Sequence, residues 1–106
     1  MPQDNFALTE AVYYILLSLY SPLHGYGIMQ RVDALSSGRV RLAAGTLYGA
    51  INTLLERGWI KALPFEKNSR KKEYEITPLG NKIVMNELNR LRELIANGDL
   101  IMMERK

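Results

Sequence analysis

Residues 42–57, Leu42-Ala43-Ala44-Gly45-Thr46-Leu47-Tyr48-Gly49-Ala50-Ile51-Asn52-Thr53-Leu54-Leu55-Glu56-Arg57, read as a helix, and Gly58 stops it. Trp59-Ile60-Lys61-Ala62-Leu63 then starts a strand, Lys67-Asn68-Ser69-Arg70-Lys71-Lys72 makes a positive turn, and Glu73-Tyr74-Glu75-Ile76 returns. Leu47, Ala50, Ile51, Leu54 and Leu55 fall on one side of the helix at the 3.6-residue period. Gly45, Gly49, Asn52 and Glu56 fall opposite, with Thr46, Tyr48 and Thr53 along the flanks. Two glycines, an asparagine and threonines make a face with poor helix propensity. Such a face suits close approach of the backbone to another molecule. A helix able to enter a DNA groove, followed by a basic hairpin able to touch a flanking phosphate, is the plan of a winged helix-turn-helix.

Charge supports the same segment. The 106 residues carry a net +3, yet the stretch from Arg39 to Lys72 holds eight basic and two acidic residues. That is +6, which leaves −3 for the rest. Positive charge concentrated on the helix-hairpin unit is the electrostatic footprint of a polyanion partner. The ordinary alternative is a solvated, lysine-rich surface.

Composition limits the other classes. A 47% apolar content fits a single globular domain. The longest apolar run, Ala11 to Tyr20, is too short for a bilayer span, and no secretory signal is expected. The absence of cysteine fits a reducing cytoplasm, which is the expected location. One histidine, His24, leaves no histidine metal cluster and reads as a turn or capping residue. An enzyme lacks the inventory, so neither catalytic residues nor a cofactor is expected. Glu73 and Glu75 share a strand face flanked by lysine and read as a surface ion-pair ladder.

Outward from the centre, a first helix from about Ala7 or Thr9 to Tyr20 carries Leu8, Val12, Ile15 and Leu19 as a stripe. Ala11, Tyr13, Tyr14, Leu16 and Leu17 leave it almost no polar face, so burial on two sides is expected. The turn at Ser21-Pro22 and His24-Gly25-Tyr26-Gly27 leads to a second helix with Ile28, Val32 and Leu35 inward, ending near Gly38. Val40-Arg41-Leu42 is an extended piece, read as a candidate third strand. Thr77-Pro78 caps and opens a last helix. Its Val84, Leu88, Leu91 and Ile95 follow at 4, 3, 4 spacing, a coiled-coil-like seam. Asn97-Gly98 is expected to weaken or end it, with Leu100 to Met103 as a further turn.

These elements make the chain mainly α with a small β-hairpin. Residues 1–77 form a winged helix-turn-helix DNA-binding domain with an N-terminal helix, and residues 78–106 a C-terminal dimerisation helix. Leu8, Val12, Tyr13, Val84, Leu88, Leu91 and Ile95 are the expected dimer interface. The expected DNA contacts are Thr46, Tyr48, Gly49, Asn52 and Thr53 on the helix and Lys67, Ser69, Arg70, Lys71 and Lys72 on the wing. Asn52 is the base reader, since its amide can pair with adenine. Tyr48 is a phosphate donor or a helix-hairpin packing residue. With no arginine on the exposed face before Arg57, direct readout should be thin, and DNA shape should carry more of the specificity.

The ordered set of motifs resembles the PadR-type transcriptional regulators. Leu8-Thr9-Glu10 and His24-Gly25-Tyr26-Gly27-Ile28 look like the family's opening. Gly45-Thr46-Leu47-Tyr48 and Leu54-Leu55-Glu56-Arg57-Gly58-Trp59-Ile60 resemble its recognition helix and first wing strand. Arg70-Lys71-Lys72-Glu73-Tyr74-Glu75-Ile76-Thr77-Pro78-Leu79-Gly80 resembles its second wing strand and last helix. One helix beyond the wing is similar to the smaller subfamily. The resemblance implies a homodimeric repressor on a palindromic DNA operator. It also implies a small apolar effector in a cavity at the dimer interface, expected here between the first and last helices beside Phe6, Tyr13 and Tyr14. Three positions depart from the pattern. Ala43 replaces a capping residue, the wing tip is not glycine-rich, and Trp59 lies in the hairpin, so the last helix has no indole to stack on a flat ligand. A winged helix used only for protein contact is the alternative.

Overall fold

A computed structural model describes residues 7–64 and 72–105. Its elements run α1 (Glu10–Ser18), β1 (Leu23–His24), α2 (Gly25–Leu35), α3 (Ala44–Glu56), β2 (Ile60–Ala62), β3 (Glu73–Ile76) and α4 (Pro78–Glu104). Local chemistry sets most of the boundaries. The Thr9 hydroxyl accepts the Val12 amide at 3.1 Å and caps α1. His24 caps α2, its Nδ1 accepting the Gly27 amide at 3.2 Å. The main chain behind α3 turns through Gly58 at φ 75°, a left-handed conformation that glycine adopts without a Cβ clash. The Gly58 and Trp59 amides close the helix end on the carbonyls of Leu55 and Leu54.

The sheet is antiparallel in the order β1-β3-β2, with Ile60 opposite Ile76, Lys61 opposite Glu75, and Leu23 opposite Tyr74. Lys61 and Glu75 lie 3.6 Å apart, which supplies one ion pair of the expected ladder. The third strand is Leu23–His24 rather than Val40–Leu42. The reason is local: the Ser36 hydroxyl accepts the Val40 amide at 2.9 Å, capturing the N–H that a ladder would need. The chain leaving α1 is already beside β3, where the Leu19 carbonyl accepts the Ile76 amide at 2.9 Å.

The core gathers Ile15, Leu16 and Leu19 of the α1 region, Ile28 and Val32 of α2, Leu47, Ile51 and Leu54 of α3, and Trp59, Ile60 and Tyr74 of the hairpin. Leu35, expected inward, is 38% exposed because α2 ends there. Val12, Tyr13, Tyr14 and Leu17 are half-buried, as an α1 with almost no polar face requires.

The last helix runs unbroken through Asn97-Gly98 to Glu104, a correction to the expected weakening there. Glycine in a helix interior costs only about 1 kcal/mol against alanine, too little to break a helix of 27 residues. Ile83 and Val84 pack into the core, while Leu94, Ile95, Leu100, Ile101, Met102 and Met103 are all more than half exposed. None of the described helices is long and apolar enough to cross a membrane.

Candidate nucleic-acid interface

The centre of the site is α3. Leu47, Ile51 and Leu54 are buried and hold the helix against the core. Thr46, Tyr48, Gly49, Asn52 and Thr53 are exposed. A Cβ placed on Gly45 or Gly49 would meet nothing within 4 Å, so neither glycine is there to admit a neighbouring element of the protomer. The open face expected from the periodicity therefore exists, with Asn52 on it. Ala43 makes no side-chain cap, which leaves the first amides of α3 without that partner.

Two residues of the expected set do more than face outward. Thr53 donates its hydroxyl to the Gly49 carbonyl at 3.2 Å and borders an apolar cleft, so it stands on the flank toward α1. Tyr48 is 46% exposed and lies across the first turn of α2. A Cβ on Gly25 would overlap the Tyr48 hydroxyl, so any larger residue there would make the tyrosine shift. Tyr48 is thus both a packing residue and a hydroxyl at the surface. Gly25 is the partner that sequence reading passed over, although it sits inside the His24-Gly25-Tyr26-Gly27 signal.

On the wing, Lys72 is exposed at the start of β3. Lys67, Ser69, Arg70 and Lys71 lie outside the described residues. Tyr74, two positions from Lys72 and so on the same strand face, is buried. Burial raises its phenol above the ordinary value and the neighbouring Tyr48 adds to the rise, so it is a neutral hydroxyl at physiological pH.

The expected interface residues divide. Val84 is committed to the protomer's own core and has little surface left for a partner. Leu8, Val12, Tyr13, Leu88 and Leu91 are half-buried, and Ile95 is 64% exposed. Glu87 was not singled out from the sequence, yet it is 3% exposed beside the seam. Arg90 grips both of its oxygens at 2.7 and 2.8 Å. That pairing, helped by the Leu8 backbone amide, holds the carboxyl below its ordinary range against the opposing effect of burial. As an i, i+3 pair it reads in sequence as an ordinary surface contact.

A cleft of about 510 Å³ lies between the entry to α1 and α3, walled by Leu8, Val12, Ala50, Leu54 and Trp59. Its place differs from the cavity expected between the first and last helices, and Phe6 lies outside the described residues. Arg57 borders it, with its guanidinium 5.1 Å from the centre of the Trp59 ring. Among the described residues no group of histidines, cysteines or carboxylates could hold a metal ion.

Three comparisons place this architecture among known proteins. A transcriptional regulator from Clostridium thermocellum superposes with a TM-score of 0.64 at 24% identity, covering 91% of this chain and 92% of the other. Bacillus subtilis PadR, in a complex with operator DNA, gives 0.60 at 22% identity, covering 73% of this chain and 45% of the other. Bordetella bronchiseptica BpsR, whose DNA binding is regulated by 6-hydroxynicotinic acid, gives 0.66 at 17% identity, covering 92% and 67%. At these identities the likeness carries the fold alone. No functionally curated protein matches the chain. The family model for the Transcriptional regulator PadR-like family matches residues 14–86, well over half the sequence. The chain belongs to the PadR-like family, whose members are transcriptional regulators and not enzymes.

Proposed function

We propose that this protein is a sequence-specific DNA-binding regulator that acts as a homodimeric repressor on a palindromic operator. The observation that carries the reading is the open face of α3. Asn52 is exposed, and among the described residues nothing lies within 4 Å of a Cβ placed on Gly45 or Gly49, while the opposite face is anchored in the core. Asn52 reads a base edge, Thr46 and Tyr48 hold phosphates, and Lys72 with the rest of the basic wing adds positioning contacts. The dimer is supported by α4, whose Leu91, Leu94, Ile95, Ile101 and Met102 form one stripe beyond the protomer core. Two recognition helices held this way sit about 34 Å apart or a multiple of it, matching half-sites on one face of the duplex. A small apolar ligand releases the repressor. The cleft beside Trp59 is large enough for one, and regulation of DNA binding in the structurally similar Bordetella protein by a small molecule supports release by a ligand, though that ligand is a polar acid.

A mobility-shift titration on the DNA upstream of the protein's own gene, repeated across a salt series, tests the reading. Saturable binding of two protomers to a two-fold symmetric site, weakening steeply with salt, is the expected result. Absence of binding to any duplex selected from a random library would instead make the fold a protein-contact module.

A further inference from the structure

The loop that delivers the chain from α2 to α3 is held by its own hydrogen bonds. The Ser36 hydroxyl accepts the Val40 amide, the Ser36 carbonyl accepts the Arg39 amide at 3.1 Å, and the Gly38 amide donates to the Asp33 carbonyl at 2.8 Å. Two arginines leave this fixed loop for different partners. Arg39 pairs with Glu10 of α1. Arg41 lies 3.7 Å from Asp33 of α2, with its side chain 78% exposed. It borders a pocket of about 260 Å³ together with Tyr26, Met29, Gln30 and Leu42. A Cβ on Gly38 would stand 3.3 Å from the guanidinium, so the side chain lies close over this turn.

The end of α3 beside Arg41 is short of reach. Ala43, Ala44, Gly45 and Thr46 are all exposed, and none carries a long side chain. In a helix-turn-helix, the first residues of the recognition helix are those that meet base edges. Here they offer methyls, one hydroxyl and bare backbone. Arg41 precedes the helix by three residues, within about 10 Å along the chain. Its guanidinium is the charged group nearest that first turn in sequence. A Cβ on Gly45 would meet nothing within 4 Å, so the start of α3 leaves the arginine room to lie along it. Asp33 does not hold it firmly. A single contact of 3.7 Å between two exposed groups is longer than a hydrogen bond and contributes little in water.

We infer that Arg41 is a base-reading residue: Asp33 parks its guanidinium in the free protein, and on DNA it moves to the major-groove edge of one guanine in each half-site. The inference rests on the DNA-binding reading above. The arginine fork presents two parallel donors, which match guanine O6 and N7 and no other base. A phosphate would take the charge without using the fork and would carry no sequence information. Direct readout is then supplied from outside α3, and the small residues of the first turn are what let a long side chain from the preceding loop share the groove with the helix.

The test is selection from a random duplex library, followed by titrations of wild type, Arg41→Lys, Arg41→Ala and Asp33→Asn on the selected duplex with each guanine replaced in turn. Wild type should lose about tenfold or more at one guanine per half-site, as for a bidentate pair. Arg41→Ala should erase that preference and leave the preferences at other positions intact. Arg41→Lys, which keeps the charge but not the fork, should fail to restore it. Asp33→Asn should tighten binding by up to about fivefold, and by less in the Arg41→Ala background, where no guanidinium is left to release. Unchanged melting temperatures establish that the variants are folded. If Arg41→Ala weakens binding equally on every duplex and lowers the salt slope by about one per protomer, Arg41 holds a phosphate and the base-reading role is overturned. Full rescue of the preference by lysine overturns it as well. Equal gains from Asp33→Asn in both backgrounds overturn the parking by Asp33. Failure of wild type to select any duplex overturns the DNA reading itself, whichever way Arg41 turns.

Discussion

The Thr77 hydroxyl donates to the Gly58 carbonyl at 2.6 Å and at the same time accepts the Gly80 amide at 3.0 Å. One side chain therefore caps α4 and ties it to the turn that ends α3. The Thr77 amide adds a bond to the Trp59 carbonyl at 3.0 Å. In the dimeric reading, this is the joint between the helix that meets DNA and the helix that sets the spacing. Thr77→Ala should cost about 1–2 kcal/mol, lowering the melting temperature by roughly 4–8 °C per kcal/mol. Thr77→Ser should recover most of that loss, because it keeps both hydrogen bonds. Thermal melts check this, and equal losses in the two variants would show that the methyl contact matters more than the cap.

Glycines on two helices should respond in opposite directions. A Cβ on Gly80 would overlap the Trp59 carbonyl and Ile76 Cγ1, and a backbone carbonyl cannot step aside cheaply. Gly80→Ala should therefore destabilise the fold severely. Gly49 has open space around it, so Gly49→Ala should raise stability by about 0.5–1 kcal/mol through helix propensity. The same substitution should weaken duplex binding, since the new methyl stands between the backbone and the groove. Paired melts and binding titrations check both halves. A Gly49→Ala protein that is more stable and binds DNA unchanged would remove this face from the contact surface.

Acid should act through Glu87. The Arg90 guanidinium and the Leu8 amide hold its carboxyl below the ordinary value of 4.5 against the effect of burial. A group with a lowered folded-state value contributes stability that is present above the unfolded value and lost as pH falls through the folded one. Melting temperature should therefore drop on acidification below about pH 4.5, where the unfolded carboxyl begins to take up its proton. Glu87→Gln should start lower at neutral pH and show a shallower acid limb. Parallel limbs for wild type and variant would mean that other carboxylates govern the acid response.

How far the sequence reached follows from what each element depends on. The two faces of α3, the His24 cap and the Thr77-Pro78 start are local, set by period or by a side chain reaching three residues along, and each was legible. The two-residue strand at Leu23–His24 has no periodicity of its own and exists because β3 is beside it. Val40–Leu42 reads as extended, yet Ser36 removes the amide that would make it a strand. Glu87 is polar in composition, and the Leu8 backbone amide that helps hold its carboxylate lies far away in the chain. The bed of Tyr48 required knowing that Gly25 lies beneath it, a contact between helices that no spacing records.

The exposed stripe of α4 gives the dimer its test. Ile95 is 64% exposed, and Leu94 and Ile101 beside it are also open, whereas Val84 on the same helix is sealed in the protomer. A charge at residue 95 meets water in a monomer and an apolar partner in a dimer. Ile95→Glu should leave the protomer's own packing intact while weakening association by about 2 kcal/mol or more, since a symmetric interface buries the change twice. Sedimentation should then show monomers at concentrations where wild type is dimeric. The same variant should lose most of its preference for two correctly spaced half-sites over a single one, because each α3 keeps its own contacts but no longer arrives with its twin. An Ile95→Glu protein that sediments as a stable dimer would place the interface elsewhere, and one that is monomeric yet still demands both half-sites would mean that the DNA, not α4, brings the two copies together.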